Sequence, residues 1–324
     1  MSKPYIFILL FTTLLFGACK KDLLHWQSVQ ELNSHTNSQL TNIRSIDGDI
    51  FIGAGGDIWS KSVVIRSTDG GYTWTCDSVP ACMLEMYGMG LSDNGTIYLS
   101  GFNGSVLLSK DHGLTWQFKY LGNMLEYFGG TFVTPDTGIF ISSVLMRQST
   151  ITRVNAQFNK IDDQTFQFGL NNCYFTTQDI GFVLGYGTIM KTTNRGNTWQ
   201  YLDVSGDNFT AMAVVDHNLW ACGANGGIYR STDDGDHWQC LRNGNDITHP
   251  HYSLRTIYFS SYWEGWAAGD DGKVIYTRDG GNHWSEFDRF TTSSIRCITP
   301  CSAIGSGDLL MCGDNGRLFR VFSK

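Results

Sequence analysis

Short apolar runs separated by turns rich in glycine and asparagine fill most of the chain. Ile228-Tyr229-Arg230 follows Gly223-Ala224-Asn225-Gly226. The same order, turn then apolar strand, recurs after Gly101-Phe102-Asn103-Gly104, Gly269-Asp270-Asp271-Gly272 and Gly313-Asp314-Asn315-Gly316. Glycine and Asn/Asp tolerate the positive φ that tight hairpins demand, so each of these turns marks a chain reversal. A second turn follows all but the last of these strands, then a strand led by tryptophan such as Trp199-Gln200-Tyr201-Leu202, then a loop and the next apolar strand. The pattern predicts an all-β chain built from units of four strands, A to D.

The second turn carries a motif that fixes the period. Ser67 to Trp74 (STDGGYTW) is its first copy; Ser109 to Trp116, Thr192 to Trp199, Ser231 to Trp238 and Thr277 to Trp284 follow, with starts 42, 83, 39 and 46 residues apart. A unit of about 42 residues is the size of one four-stranded propeller blade. Within each copy the carboxylate (Asp69, Asp111, Asp233, Asp279) or the carboxamide of Asn194 is expected to accept backbone N–H groups two or three residues on. The tryptophans Trp74, Trp116, Trp199, Trp238 and Trp284 are expected to bury between neighbouring blades. The 83-residue gap hides a degenerate blade, with strands around Phe140-Ile141 and Ile151 to Val154, and with Phe158 in the tryptophan's place. The last blade ends at its C strand, Leu318 to Phe322, and lacks a D strand. His25-Trp26-Gln27-Ser28-Val29 reads like Thr198-Trp199-Gln200 and supplies it. The count is seven blades in one domain over residues 25–324, and the chain's two ends close the ring.

These copies resemble the Asp-box (BNR) repeat of sialidases, sorting receptors and photosystem II assembly factors. The whole-chain organisation is similar to the photosystem II stability and assembly factor family. That resemblance implies a seven-bladed ring acting as a binding platform for a membrane protein. Sialidases share the repeat and grip a carboxylate with three arginines, but their Arg-Ile-Pro motif is missing here. A paired-carboxylate glycoside hydrolase using Glu85 and Glu126 is the alternative reading.

Charge and cysteines narrow the setting. A net charge of −7 without basic runs argues against nucleic-acid partners. Residues 1–18 read as a signal peptide: Lys3, then the largely apolar Tyr5 to Phe16, then Gly17-Ala18. Phe16-Gly17-Ala18-Cys19 resembles the bacterial lipobox, which implies a lipid on Cys19 and a location in the cell envelope, at the outer membrane of a Gram-negative bacterium. Residues 19–24 form the tether. Lys20 to Leu24 reach at most about 18 Å, so the ring is expected close to the membrane. Export permits disulfides; Cys76 and Cys82 bracket a short loop and are the leading pair, with Cys297 and Cys301 a weaker one.

Candidate chemistry lies at the axis. Aligning the A strands by their leading apolar residue puts Arg44, Glu85, Glu126, Asn172, Thr210, Arg255 and Arg296 in one register. Three arginines on consecutive blades could hold a carboxylate or an acidic peptide; the competing expectation is a pairing of Arg44 with Glu85 across blades. Tyr87, Tyr127, His249, His251, Tyr252 and Trp263 could widen such a site. Asp233-Asp234-Gly235-Asp236 lacks the distant glutamate of a calcium loop, and no phosphate loop, nucleophile elbow or HExxH occurs. No cofactor or metal is expected. The expected partner is a protein or glycan near the membrane, bound by a monomer.

Overall fold

A computed structural model describes residues 23–322 except 59, 80–83, 123, 145–146, 247–250 and 302–306. The described strands form seven antiparallel sheets of four. In the first six blades the four strands are consecutive in sequence. In the seventh the order is Ser28–Glu31, Leu318–Phe322, Asp308–Gly313, Ile295–Pro300, so the chain's first strand lies outermost against its last. Val29 pairs with Val321, and Gln27 donates its N–H to the Phe322 carbonyl at 2.8 Å. The closing strand begins at Ser28, two residues later than a strand led by Trp26. Trp26 instead precedes it, stacks on Phe287 of blade 6 at 3.8 Å and donates its indole N–H to the Asp288 carbonyl.

The A strands of blades 1 to 7 are Gln39–Asp47, Met86–Leu91, Glu126–Thr134, Leu170–Phe175, Phe209–Val215, Leu254–Phe259 and Ile295–Pro300. Each packs against the A strands on either side, so they line the axis. The core is therefore seven seams between blades, not one centre. Trp74 fills the seam between blades 7 and 1 with Leu310, Leu318 and Phe51. Trp116, Trp199, Trp238 and Trp284 do the same at four others. Phe158, at φ +65°, packs on Tyr98, Phe132 and Phe140 in the seam between blades 2 and 3. Trp26 serves the last seam, between blades 6 and 7.

The five recurring C–D turns share one hydrogen-bond scheme. The first hydroxyl donates to the third residue's side-chain oxygen and accepts the N–H of the fifth, as in Ser67 to Asp69 at 2.8 Å and Gly71 to Ser67 at 3.0 Å. The third residue also accepts the N–H of the seventh, four positions on: Thr73, Thr115, Thr198, His237 and His283. This reach is longer than the two or three positions expected; a bond three positions on, from Tyr72, accompanies it in the first turn. Asn194 keeps the scheme with its carbonyl oxygen and donates its amide N–H to Thr198 Oγ1, reversing the direction seen at Asp69 and Asp111. Gly71 sits at φ +85°, and a Cβ there would meet Leu310 of blade 7 at 2.7 Å. The turn thus demands glycine for its conformation and for the approach of the next blade.

Cys82 and Cys19 lie outside the described residues. Cys76 is half-buried and carries no disulfide to a described cysteine. Cys297 does not approach Cys301, since four residues along an extended strand span about 13 Å. Its neighbour across strands A and B is Cys312, and both are free thiols.

Candidate functional site

Every A strand carries a β-bulge one or two residues into its pairing with strand B. The extra residues are Thr41, Tyr87, Phe128, Asn171, Thr210, Arg255 and Arg296. A bulge inserts one unpaired residue and re-aims the side chains beyond it. These seven are the equivalent positions around the ring. Thr210, Arg255 and Arg296 belong to the set, as the alignment by apolar residues has it. Arg44 lies three residues past its bulge and Asn172 one past. Glu85 and Glu126 lie two residues before theirs, equivalent to each other but not to the arginines.

The bulge residues divide by chemistry. Thr41, Asn171 and Thr210 bind the ring together: each donates to the carbonyl of the residue just before the next blade's bulge, Met86 (2.7 Å), Phe209 (2.7 Å) and Leu254 (2.7 Å). Tyr87 and Phe128 meet at a tilt of 31° with centroids 5.1 Å apart. Arg255 and Arg296 each pair with an aspartate in the B–C turn of their own blade, Asp270 and Asp314. A signal for this existed in the sequence. The second residue of the Gly-x-Asn/Asp-Gly turn is aspartate where the bulge residue is arginine, phenylalanine (Phe102) beside Tyr87, and alanine (Ala224) beside Thr210.

At the end of the ring where D–A connections and B–C turns converge, an open depression of about 520 Å³ is lined by Asn37, Gln39, Asp57, Ser60, Glu85, Arg296, Asp314 and Asn315. Two contacts place Glu85 there. Its carbonyl accepts the Phe102 N–H at 3.0 Å, and its Cα lies 3.1 Å from where a Cβ on Gly56 would sit. The Glu85 side chain is fully buried, and neither carboxylate oxygen has a hydrogen bond of good geometry. Burial pushes its pKa up to about 7. Arg296 opposes that most, then the Tyr87 hydroxyl, while Asp57 and Asp314 add to it. Burial and then the charges of Glu85 and Glu126 hold the Tyr87 hydroxyl well above the usual tyrosine range. Burial also raises Glu126. Glu85, Tyr87, Glu126 and Arg296 thus form one electrostatic group.

Arg44 belongs elsewhere. It is exposed and lines a second depression, of about 400 Å³, with Thr131, Asn172, Cys173 and Tyr174, away from Arg296. Arg44 and Arg296 therefore line different depressions, because Arg44 lies three residues past its strand's bulge whereas Arg255 and Arg296 are bulge residues, and Arg44 does not pair with Glu85. Tyr127 is buried and bonds Thr152. Tyr252 packs beneath Arg242 and Lys273. Trp263 is exposed and meets Tyr262 edge-on. His251 is exposed and lines neither depression; His249 lies outside the described residues. Asp57, Asn37 and Gln39 join the candidate site with no motif to announce them.

No family model matches the chain, and no curated protein does. Solved structures match over nearly its whole length. The structure described as "YCF48 bound to D1 peptide" has a TM-score of 0.68 and 17% identity over 92% of this chain and 95% of that one. YCF48 from Cyanidioschyzon merolae gives 0.69 and 15% over 91% and 98%. A structure of U3-55K gives 0.68 and 10% over 90% and 98%. At such identities the likeness is one of fold: this chain is a seven-bladed β-propeller.

Proposed function

We propose that this propeller is a non-catalytic binding module that holds a protein partner at the axial end bearing Glu85, Tyr87, Glu126 and Arg296. The observation that carries this reading is the open depression among the B–C turns, with a buried carboxylate at its floor. A propeller of similar fold described as bound to a D1 peptide supports it. Two features weigh against a hydrolase. Tyr87 is held in its protonated form by burial and two flanking carboxylates, the opposite of an activated nucleophile. Arg255 and Arg296 are already paired with aspartates of their own blades.

The five C–D turns keep the Asp-box resemblance, and in this reading their aspartates are turn staples. Residues 1–22 lie outside the described part of the chain. With signal cleavage before Cys19 and lipidation of that cysteine, the ring sits close to the outer membrane and its partner is a membrane or envelope protein. A photo-crosslinking residue at Asn315, on the rim, is expected to trap a discrete protein in cells. The same residue at Tyr201, exposed on an outer strand, is expected to trap none. Equal trapping from both positions overturns the axial site. Cys19→Ser is expected to move the protein from the membrane to the soluble fraction; unchanged fractionation overturns the anchor.

A further inference from the structure

Glu85 is a fully buried acid neither of whose carboxylate oxygens has a hydrogen bond of good geometry. Buried carboxylates are as a rule hydrogen-bonded or paired, and an orphan calls for a cause. Arg296, the nearest opposite charge, is already engaged by Asp314. Asp57 accepts the hydroxyls of Ser38 at 3.1 Å and Ser60 at 3.4 Å, so it offers Glu85 nothing. The depression thus holds three acids, Asp57, Glu85 and Asp314, against one arginine. Its charge balance is the reverse of the arginine-lined mouth expected from the sequence.

We propose that the depression over Glu85 is a subsite for an organic cation, a lysine ammonium or chain-terminal amine of the bound protein, which completes the hydrogen bonding of the Glu85 carboxylate. This rests on the platform reading and specifies its chemistry. An ammonium group brings three N–H donors to a site short of donors, and an anion would meet uncompensated acid. Occupation requires Glu85 to be charged. The groups facing it are Arg296 and Asp314 from blade 7, Asp57 from blade 1 and Tyr87 from its own strand, with Glu126 acting on Tyr87 from blade 3. Binding at pH 6 therefore releases a proton from Glu85, and binding at pH 8.5 does not.

The probe is a doubly capped Gly-Lys-Gly peptide, with the acetyl-lysine peptide as control, titrated by calorimetry into the mature chain in two buffers of different ionisation enthalpy. The lysine peptide is expected to bind, to release a proton at pH 6, and to bind about tenfold more weakly to Glu85→Gln; the loss of one charge-assisted hydrogen bond is of that order. Asn37→Lys, a surface change at the rim that leaves Glu85 in place, is expected to weaken binding in low salt. Equal binding of the acetyl-lysine peptide, no binding of either, or an unaltered affinity in Glu85→Gln overturns the cation subsite. Crosslinking from Asn315 then reports separately: if it persists the platform stands without this subsite, and if it too is lost both fall.

Discussion

Replacing Glu85 by glutamine is expected to make the ring more stable at alkaline pH. The Glu85 carboxyl is raised from its ordinary 4.5 to about 7 by burial. The folded state therefore holds this proton more tightly than the unfolded chain does. Its contribution to stability is fully present below pH 4.5 and is lost as pH rises through about 7. At 1.36 kcal/mol per pH unit the displacement is worth at most about 3 kcal/mol. Glutamine has no charge to desolvate, so the variant escapes the loss. Urea unfolding monitored by tryptophan fluorescence, from pH 4.5 to 8.5, measures the difference between the two proteins. His237, which its contact with Asp233 raises, titrates in part of this window, but it does so in both proteins and cancels. The expected result is near-equal stability at pH 4.5 and a gap that opens toward pH 8.5. Parallel curves, or a glutamine variant less stable at high pH, refute the claim that Glu85 is an uncompensated buried acid.

The seams and turns give three further expected outcomes. Asp111→Ala removes the acceptor for the Thr115 N–H, the Thr115 hydroxyl and the Ser109 hydroxyl and is expected to lower stability by about 1–2 kcal/mol. The Thr115 hydroxyl, foremost among these bonds, holds the carboxyl at about 2, so in acid titration the deficit should begin to shrink below pH 3.8 and close near pH 2. Asn194→Asp restores a carboxylate to the one carboxamide turn and is expected to add about 0.5–1 kcal/mol above pH 5 by denaturant unfolding, because charge-assisted bonds are the stronger. Trp26→Ala removes a half-buried indole from the seam between blades 6 and 7, and a loss of about 2 kcal/mol is expected in the same assay, below the cost of a fully buried indole.

The blade count, the closing of the ring by the first strand and the place of Phe158 were legible in the sequence because each depends on local chemistry. A Ser/Thr hydroxyl, a carboxylate and two left-handed residues before a tryptophan make a turn wherever they occur, and their spacing counts the blades. The rim was legible only in part. Thr210, Arg255 and Arg296 stood in register by their apolar neighbours. Arg44 did not, since blade 1 puts Leu40 ahead of its bulge and Ile43 after it, and apolarity alone does not say which of the two leads.

What the sequence determined by itself was the repeat and its closure, which rest on contacts within a few residues or on a pattern copied five times. What the tertiary structure decided was the content of the axial end. Bulges at equivalent points of seven strands shift side chains by one position against simple alternation, and one position turns a residue to the other face. The position of each residue relative to its bulge sets Arg44 apart from Arg296, while the B–C turn seats Asp314 on Arg296, and Glu85 is left buried beside Asp57 and Asp314 with no hydrogen bond of good geometry. Charge compensation in a ring depends on which side chains from different blades arrive at one place, and only the closed ring settles that.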